Sequence, residues 1–265
     1  MEEILQAQQP TIPAGTQPLS DLSYWQQYCE AFNQTKGDWD KRDGFNCDYC
    51  KNRGHLLVVR DDTPVSRDCP ECMSIRKSIW QLKKSGLADK TFDSFTASEE
   101  WRQKLLGIVR KYVDENSGKW LFIGGQSGAG KTHLCTAALR EFIFRYHEEA
   151  LLFEWAEKAK ELKRCVNDPD YDIKINLYKN VPVLYIDDFL KVKKGEKPTA
   201  ADINLAFELI DYRYRKSLIT IISSEFSVND IISFDEALGG RIKFKAKEYA
   251  LHIGRDTNKN YRLKD

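Results

Sequence analysis

Two hydrophobic rhythms alternate along this chain. Short apolar runs at 119–124, 151–154, 182–187, 217–223 and 248–253 have the length and branched content of strands buried on both faces. Between them, at 98–115, 131–147, 155–165, 199–215 and briefly near 227–232, apolar side chains recur every three or four residues, the spacing of amphipathic helices. Strands that alternate with helices build a parallel sheet covered on both sides. The expected fold class is therefore α/β, a three-layer parallel-sheet core.

Upstream the rhythm weakens. Residues 1–20 are rich in Gln, Pro, Thr and Ser and are expected to be disordered. Residues 21–46 carry a short helical pattern with Trp25 and Tyr28, and Leu56 to Val59 form a strand-like run. Ile75, Ile79 and Leu82 share one face of a predicted helix over 75–84, stopped near Gly86. The boundary is placed at 86–90, giving an N-terminal domain over 21–88 and a C-terminal domain over 89–265. No internal repeat is visible.

Composition adds limits. At 265 residues and 42% hydrophobic, the chain holds one α/β domain plus something smaller. A net charge of +1 rules out wholesale attraction to polyanions, so any nucleic-acid surface must come from local clusters. Three exist: Lys158, Lys160, Lys163 and Arg164; Lys191, Lys193, Lys194 and Lys197; and the last 25 residues, with eight Lys/Arg against three Asp/Glu. Each competes with the reading of a merely solvated face. No apolar run approaches the ~20 residues of a membrane span, and Met-Glu-Glu lacks a basic leader. A cytoplasmic protein without membrane contact is expected.

The most informative segment is Gly125-Gln126-Ser127-Gly128-Ala129-Gly130-Lys131-Thr132, which satisfies G-x-x-x-x-G-K-[ST] at every fixed position. Glycines let successive main-chain N–H groups converge on phosphate oxygens. Lys131 supplies a point charge for the β/γ-phosphates, and the Thr132 hydroxyl a ligand for Mg²⁺. A predicted strand before the loop and a helix after it complete the anion site. The chain is expected to bind ATP or GTP.

Val183-Leu184-Tyr185-Ile186-Asp187-Asp188 is an apolar strand ending in two carboxylates, the form of a Walker B motif. Asp187 would complete the Mg²⁺ shell and Asp188 would polarise the attacking water. Many ATPases carry Glu at the second position, so the shorter Asp188 predicts weak intrinsic turnover. A solvated Asp-Asp pair at a strand end is the bland alternative.

Cys47-x2-Cys50-x18-Cys69-x2-Cys72 pairs two C-x2-C knuckles. That spacing suits a closed tetrahedral Cys₄ zinc site, which would supply folding energy to a segment with little core. Another metal or cluster, or unliganded thiols, remain the alternatives. Cys29, Cys135 and Cys165 stand alone and read as ordinary buried thiols.

Together these residues resemble a known family. Gly130-Lys131-Thr132-His133-Leu134 looks like the GKTHL form of bacterial initiator, helicase-loader and transposition-helper AAA+ ATPases. Thr91-Phe92-Asp93-Ser94-Phe95 is similar to the T-F-D-N-F box of that clade, and the knuckles resemble the N-terminal zinc module of DnaC/DnaI-type loaders. The resemblance spans about 45–262. It implies that His133 and Phe92 lie at the nucleotide, with Phe92 near adenine unless it is plain core. Ser224 (or Ser223) would act as sensor 1, and Arg241, in Leu238-Gly239-Gly240-Arg241-Ile242, as an arginine finger for a neighbouring subunit. Tyr261-Arg262 matches a family Tyr-Arg of unassigned role.

The implied function is an ATP-dependent helicase loader in DNA replication. Its zinc domain would grip a replicative hexameric helicase, with single-stranded DNA and further copies of the chain as partners. The cofactors would be ATP, Mg²⁺ and Zn²⁺. An IstB-like transposition helper and a non-hydrolysing adaptor are the rivals; a small-molecule kinase lacks its Arg-rich lid here.

Overall fold

The computed structural model describes residues 23–193, 195–256 and 259–260. The expected disorder at 1–20, Lys194 and the Tyr261-Arg262 pair lie outside them. The chain divides into two compact units, the first running to Lys77 and the second starting at Ser78.

In the first unit Ser23 opens α1 (Tyr24–Gln34) through a reciprocal capping box with Gln26. A short α2 (Trp39–Asp43) follows. Strands β1 (His55–Arg60) and β2 (Thr63–Asp68) pair antiparallel, with Val58 opposite Val65. Asp61 and Asp62 both take left-handed φ, the conformation that a two-residue hairpin turn demands. The α1 helix docks on β1 through Asn33, whose side chain donates to the Leu57 carbonyl and accepts from its N–H, both at 2.9 Å. Helix α3 (Met73–Lys84) starts directly after the second cysteine knuckle.

The division into units falls inside α3. Its last turns belong to the second unit because they dress a sheet edge there. The Ser78 hydroxyl accepts from Ala150 N–H at 3.0 Å, and the Gln81 amide both donates to and accepts from the Leu152 backbone. Side chains thus occupy main-chain groups that an edge strand leaves open. Gly86, left-handed at φ +71°, ends the helix as expected.

The rest of the second unit runs α4 (Glu100–Glu115), β3 (Leu121–Gly125), α5 (Lys131–Phe144), β4 (Ala150–Glu154), α6 (Trp155–Arg164), α7 (Tyr171–Asn180), β5 (Val183–Asp187), α8 (Ala200–Lys216), β6 (Ile219–Ser223), α9 (Val228–Phe234), α10 (Glu236–Ala246) and β7 (Ala250–Ile253). Five parallel strands lie in the order β4-β5-β6-β3-β7. Alternate residues divide between two faces. Phe122, Leu184, Ile186 and Ile222 join a core with Leu205, Leu209, Ile210, Leu238 and Ile242 of α8 and α10. Their strand neighbours Leu121, Ile123, Val183, Tyr185 and Ile221 are equally buried on the opposite face, where α5 packs across the sheet and α4 packs on α5. The expected α/β three-layer parallel core is present.

Helices α7 and α10 and strand β2 are additions to the sequence reading. The order also places β6 between the strand that enters the glycine loop and the strand that ends in Asp187. All three carboxyl ends therefore open on one site, where a parallel sheet presents its ligands.

Candidate functional site

The glycine loop joins β3 to α5. Gly125 has φ +112°, and an added Cβ would lie 2.1 Å from the Ile253 carbonyl oxygen, so no side chain fits where the loop leaves the sheet. Gly130 is left-handed at φ +91° at the start of α5, and a Cβ there would meet the Phe95 ring at 2.8 Å. The Gln126 side chain grips the segment after β7, donating to the Asp256 carbonyl at 2.8 Å and accepting from its N–H at 2.6 Å. Ala129 is fully buried beneath the loop.

Lys131 is 6% exposed, and its ammonium donates to the carbonyls of Gly125 at 2.9 Å and Gln126 at 2.8 Å. Burial pulls its pKa below the usual lysine value, against the opposing charge of Asp188. The Thr132 hydroxyl donates to Asp187 Oδ1 at 3.0 Å, joining the two motifs across the sheet. That carboxylate oxygen also accepts from the hydroxyls of Tyr185 and Ser223, each at 2.5 Å. Thr132 and Asp187 are adjacent hard oxygen donors, the set a magnesium ion with a triphosphate requires.

Asp188 sits at left-handed φ +52°. Burial, then the charge of Asp187, pushes its pKa above the ordinary carboxylate range. Lys191 stands 3.8 Å from Asp188 and is also paired with Glu225.

Of the two serines at the end of β6, Ser223 reaches the acidic pair: it donates to Asp187 and accepts from Asp188 N–H at 3.1 Å. Ser224 is fully buried, with its hydroxyl committed to the Phe189 carbonyl at 2.8 Å and the Phe226 N–H at 3.1 Å. It ties loops together rather than facing the cleft.

That cleft has a volume of about 550 Å³, lined by Leu87, Lys90, Phe95, Thr96, Arg102, Ser127, Gly128, Lys131, Thr132, Asp187, Asp188 and Lys191 among others. His133 sits at its wall, within 2.8 Å of the Thr91 carbonyl oxygen and 3.2 Å of Ser94 Oγ, edge-on to the Phe95 ring. Burial lowers the His133 pKa. Phe92 does not line the cleft. It packs beneath the Arg110 guanidinium, 5.3 Å from its ring centre, beside a separate hollow. The aromatic of this segment that faces the glycine loop is Phe95, with Arg102 stacked on it at 4.6 Å. Arg102 escaped the sequence reading, which named Phe95 together with Phe92 in the T-F-D-N-F-like box; in T-F-D-S-F the backbone turn, not the residue type, decides which ring faces inward. Glu154 was also missed. It ends β4 in register with Asp187, and burial raises its pKa.

Arg241 lies on α10 and does not line the cleft. Its Nε donates to Asp211 Oδ1 at 2.9 Å, and its guanidinium lies 4.9 Å from the Phe207 ring centre.

Members of all three basic clusters meet. Lys160 and Lys163 of α6, Lys191, Lys193 and Lys197 of the loop after β5, and Arg255 line a cleft of about 1040 Å³ together with Glu196, Asp202, Glu225 and Asp230. Lys163 is paired with Asp202, and Lys158 with Glu157 at 2.9 Å.

In the first unit the sulfurs of Cys47, Cys50, Cys69 and Cys72 all lie within 4.8 Å of one another. Cys47 and Cys69 are 3.9 Å apart, and Cys50 and Cys72 3.7 Å. A tetrahedron of thiolates around a metal at ~2.3 Å has edges of about 3.8 Å. The four residues fit such an ion. Burial holds the Cys69 thiol up at about 11, so a metal is what would keep that sulfur deprotonated. His55 stays outside the cluster, its Nδ1 lying 3.0 Å from the Arg53 carbonyl oxygen.

The sequence matches the profile of the bacterial DnaA ATPase domain over residues 88–246, more than half of the chain. YqaM, an uncharacterized protein of Bacillus subtilis (strain 168), is 35% identical, over 83% of this chain and 87% of its own. The replicative helicase loader DnaI of the same organism is 25% identical, over 70% of this chain and 66% of its own. The crystal structure of the DnaC helicase loader superposes with a TM-score of 0.54 at 22% identity, over 64% of this chain and 99% of that one, a likeness of fold. A glycine loop, two strand-end carboxylates and a five-stranded parallel sheet agree with that profile: the chain belongs to the bacterial DnaA-type ATPase domain family, as an AAA+ protein similar to the DnaC and DnaI helicase loaders.

Proposed function

We propose that this protein is an ATP-dependent loader of a replicative hexameric helicase, working on DNA in the cytoplasm. The observation that carries the ATPase half is the 3.0 Å bond from Thr132 to Asp187, which sets two magnesium ligands side by side at the mouth of the glycine loop. The loader half rests on similarity to DnaI.

In this reading the main-chain loop 125–132 cradles the triphosphate, and Lys131 neutralises charge on its outer phosphates. Phe95, Arg102 and Leu87 offer an apolar and stacking wall for the base. Asp188 orients a water and takes its proton as the water oxygen bonds to the γ-phosphorus and the bond to the β-phosphate bridge breaks. Ser223, bonded to the Asp187 carboxylate and the Asp188 N–H, reports the state of the γ-phosphate. Arg241 serves a neighbouring subunit's nucleotide, which makes full turnover depend on assembly. Cys47, Cys50, Cys69 and Cys72 hold a structural Zn²⁺, and the unit they fold grips the helicase. The basic cleft between α6 and the loop after β5 carries single-stranded DNA, with affinity that falls as salt rises.

Co-purification with the replicative helicase tests the central claim, with and without ATP and with zinc chelated. ATP-strengthened association that chelation abolishes is the expected result. Failure to associate under every condition removes the loader reading and leaves the ATPase standing.

A further inference from the structure

One charged side chain in the first unit is spent on a sulfur. Arg76 lies in the first turn of α3, four residues after Cys72, and its N–H donates to the Cys72 carbonyl at 2.8 Å, which sets the two one helical turn apart. It is fully buried. Its Nη1 donates to Asp43 Oδ2 at 2.5 Å and its Nη2 to the Phe45 carbonyl at 3.0 Å. Its Nε donates to Cys72 Sγ at 3.3 Å. The rings of Trp39 and Phe45 flank the guanidinium, each 5.6 Å from its carbon.

An arginine needed only to neutralise Asp43 would place both Nη groups on the carboxylate in the fork that the two shapes favour. Here the fork is opened: one Nη serves Asp43, the other a carbonyl, and Nε points at a metal-ligand sulfur. Four thiolates on a divalent ion leave a buried charge of about −2. A cation that hydrogen-bonds one thiolate from outside the ligand set draws off part of that charge and fixes the direction of the sulfur lone pair. The Gly54 N–H does the same for Cys50 Sγ at 3.2 Å.

We propose that Arg76 is a positioning residue for the metal centre. Held by Asp43 and the Phe45 carbonyl, it fixes the Cys72 thiolate toward a bound Zn²⁺ and slows loss of the ion. The inference rests on the tetrathiolate zinc reading.

The test uses the full chain, native and as Arg76→Met, Arg76→Lys and Asp43→Asn. Zinc per chain is measured, then its transfer to a colorimetric chelator, and then the thiolate charge-transfer and ligand-field bands of the Co²⁺-substituted protein. Native protein should hold about one zinc, Arg76→Met should release it about 10–100-fold more readily with shifted Co²⁺ bands, and Arg76→Lys should recover only part of the loss. Native protein without zinc would overturn the metal reading itself. Native protein with zinc, and an Arg76→Met protein matching it within about twofold with unchanged Co²⁺ bands, would overturn the role of Arg76 alone. Should Arg76→Met fail to fold, Asp43→Asn decides. Faster zinc release at unchanged helix content supports positioning; a lower melting point with unchanged release shows that Arg76 only fills a buried ion pair.

Discussion

Around Cys72 the interior of the first unit holds four cysteines, the Asp43–Arg76 ion pair, Asn52 and a few apolar residues such as Phe45 and Ile75. Around Leu184 and Leu209 the interior of the second is Trp, Phe, Leu and Ile almost without interruption. A small segment with little apolar surface to bury needs a cross-link of another kind, and four thiolates on one ion would provide it. The larger unit needs none, and gathers polar groups such as Thr132, Asp187 and Ser223 at the carboxyl ends of its inner strands.

The largest separation should come from removing the metal. Structural zinc contributes on the order of 10 kcal/mol to such modules. A strong chelator should therefore unfold 45–72 to proteolysis while 88–253 stays protected and still binds nucleotide, as read by mass mapping of the fragments. Simultaneous loss of both would show that the units do not fold separately.

Next in size is Leu209→Ala, which truncates a fully buried side chain of α8. A cost of about 2–5 kcal/mol should appear in urea unfolding followed by the α/β signal, with zinc content unchanged. Lys131→Ala should remove about 1.5–3 kcal/mol of nucleotide affinity in calorimetry, with neither zinc content nor fold altered.

The finest comparison is pH dependence. In the proposed mechanism Asp188 works as the carboxylate, and burial and Asp187 raise its pKa, so its proton returns earlier as pH falls. Turnover should decline on acidification from above the ordinary carboxylate range, while zinc stays bound until more acidic conditions protonate the thiolates. Asp188→Asn should leave a low residual rate without that acid limb. An acid limb that persists in Asp188→Asn would assign the titration elsewhere, with Glu154 the first candidate.

The two regions were also unequally legible. Strands β3 and β5 announce themselves as unbroken apolar runs, because a central parallel strand is buried on both faces. Strand β2 does not: Thr63-Pro64-Val65-Ser66-Arg67-Asp68 has one half-buried apolar residue and exists through its pairing with β1. Helix α7 was missed because Ile175 is its buried residue while Ile173 and Leu177 face out, which destroys the periodic signal. Helix α10 was hidden by Gly239-Gly240. A Cβ at Gly239 would lie 2.5 Å from the Ile232 side chain, so a residue that reads as a helix breaker serves close packing on α9. In the site, the glycine loop and Asp187 follow from spacing alone. Phe95, Arg102 and Ser223 do not, since their relevance arises from folding that brings 95–102 and the end of β6 to the loop.

The left-handed backbone at Asp188 bears on redesign. Aspartate tolerates that region better than longer side chains, since its short polar arm can bond locally. Exchanging it for glutamate to lengthen the catalytic reach would set that gain against a strained peptide. A faster variant of the proposed ATPase would therefore call for reshaping the turn after β5 as well.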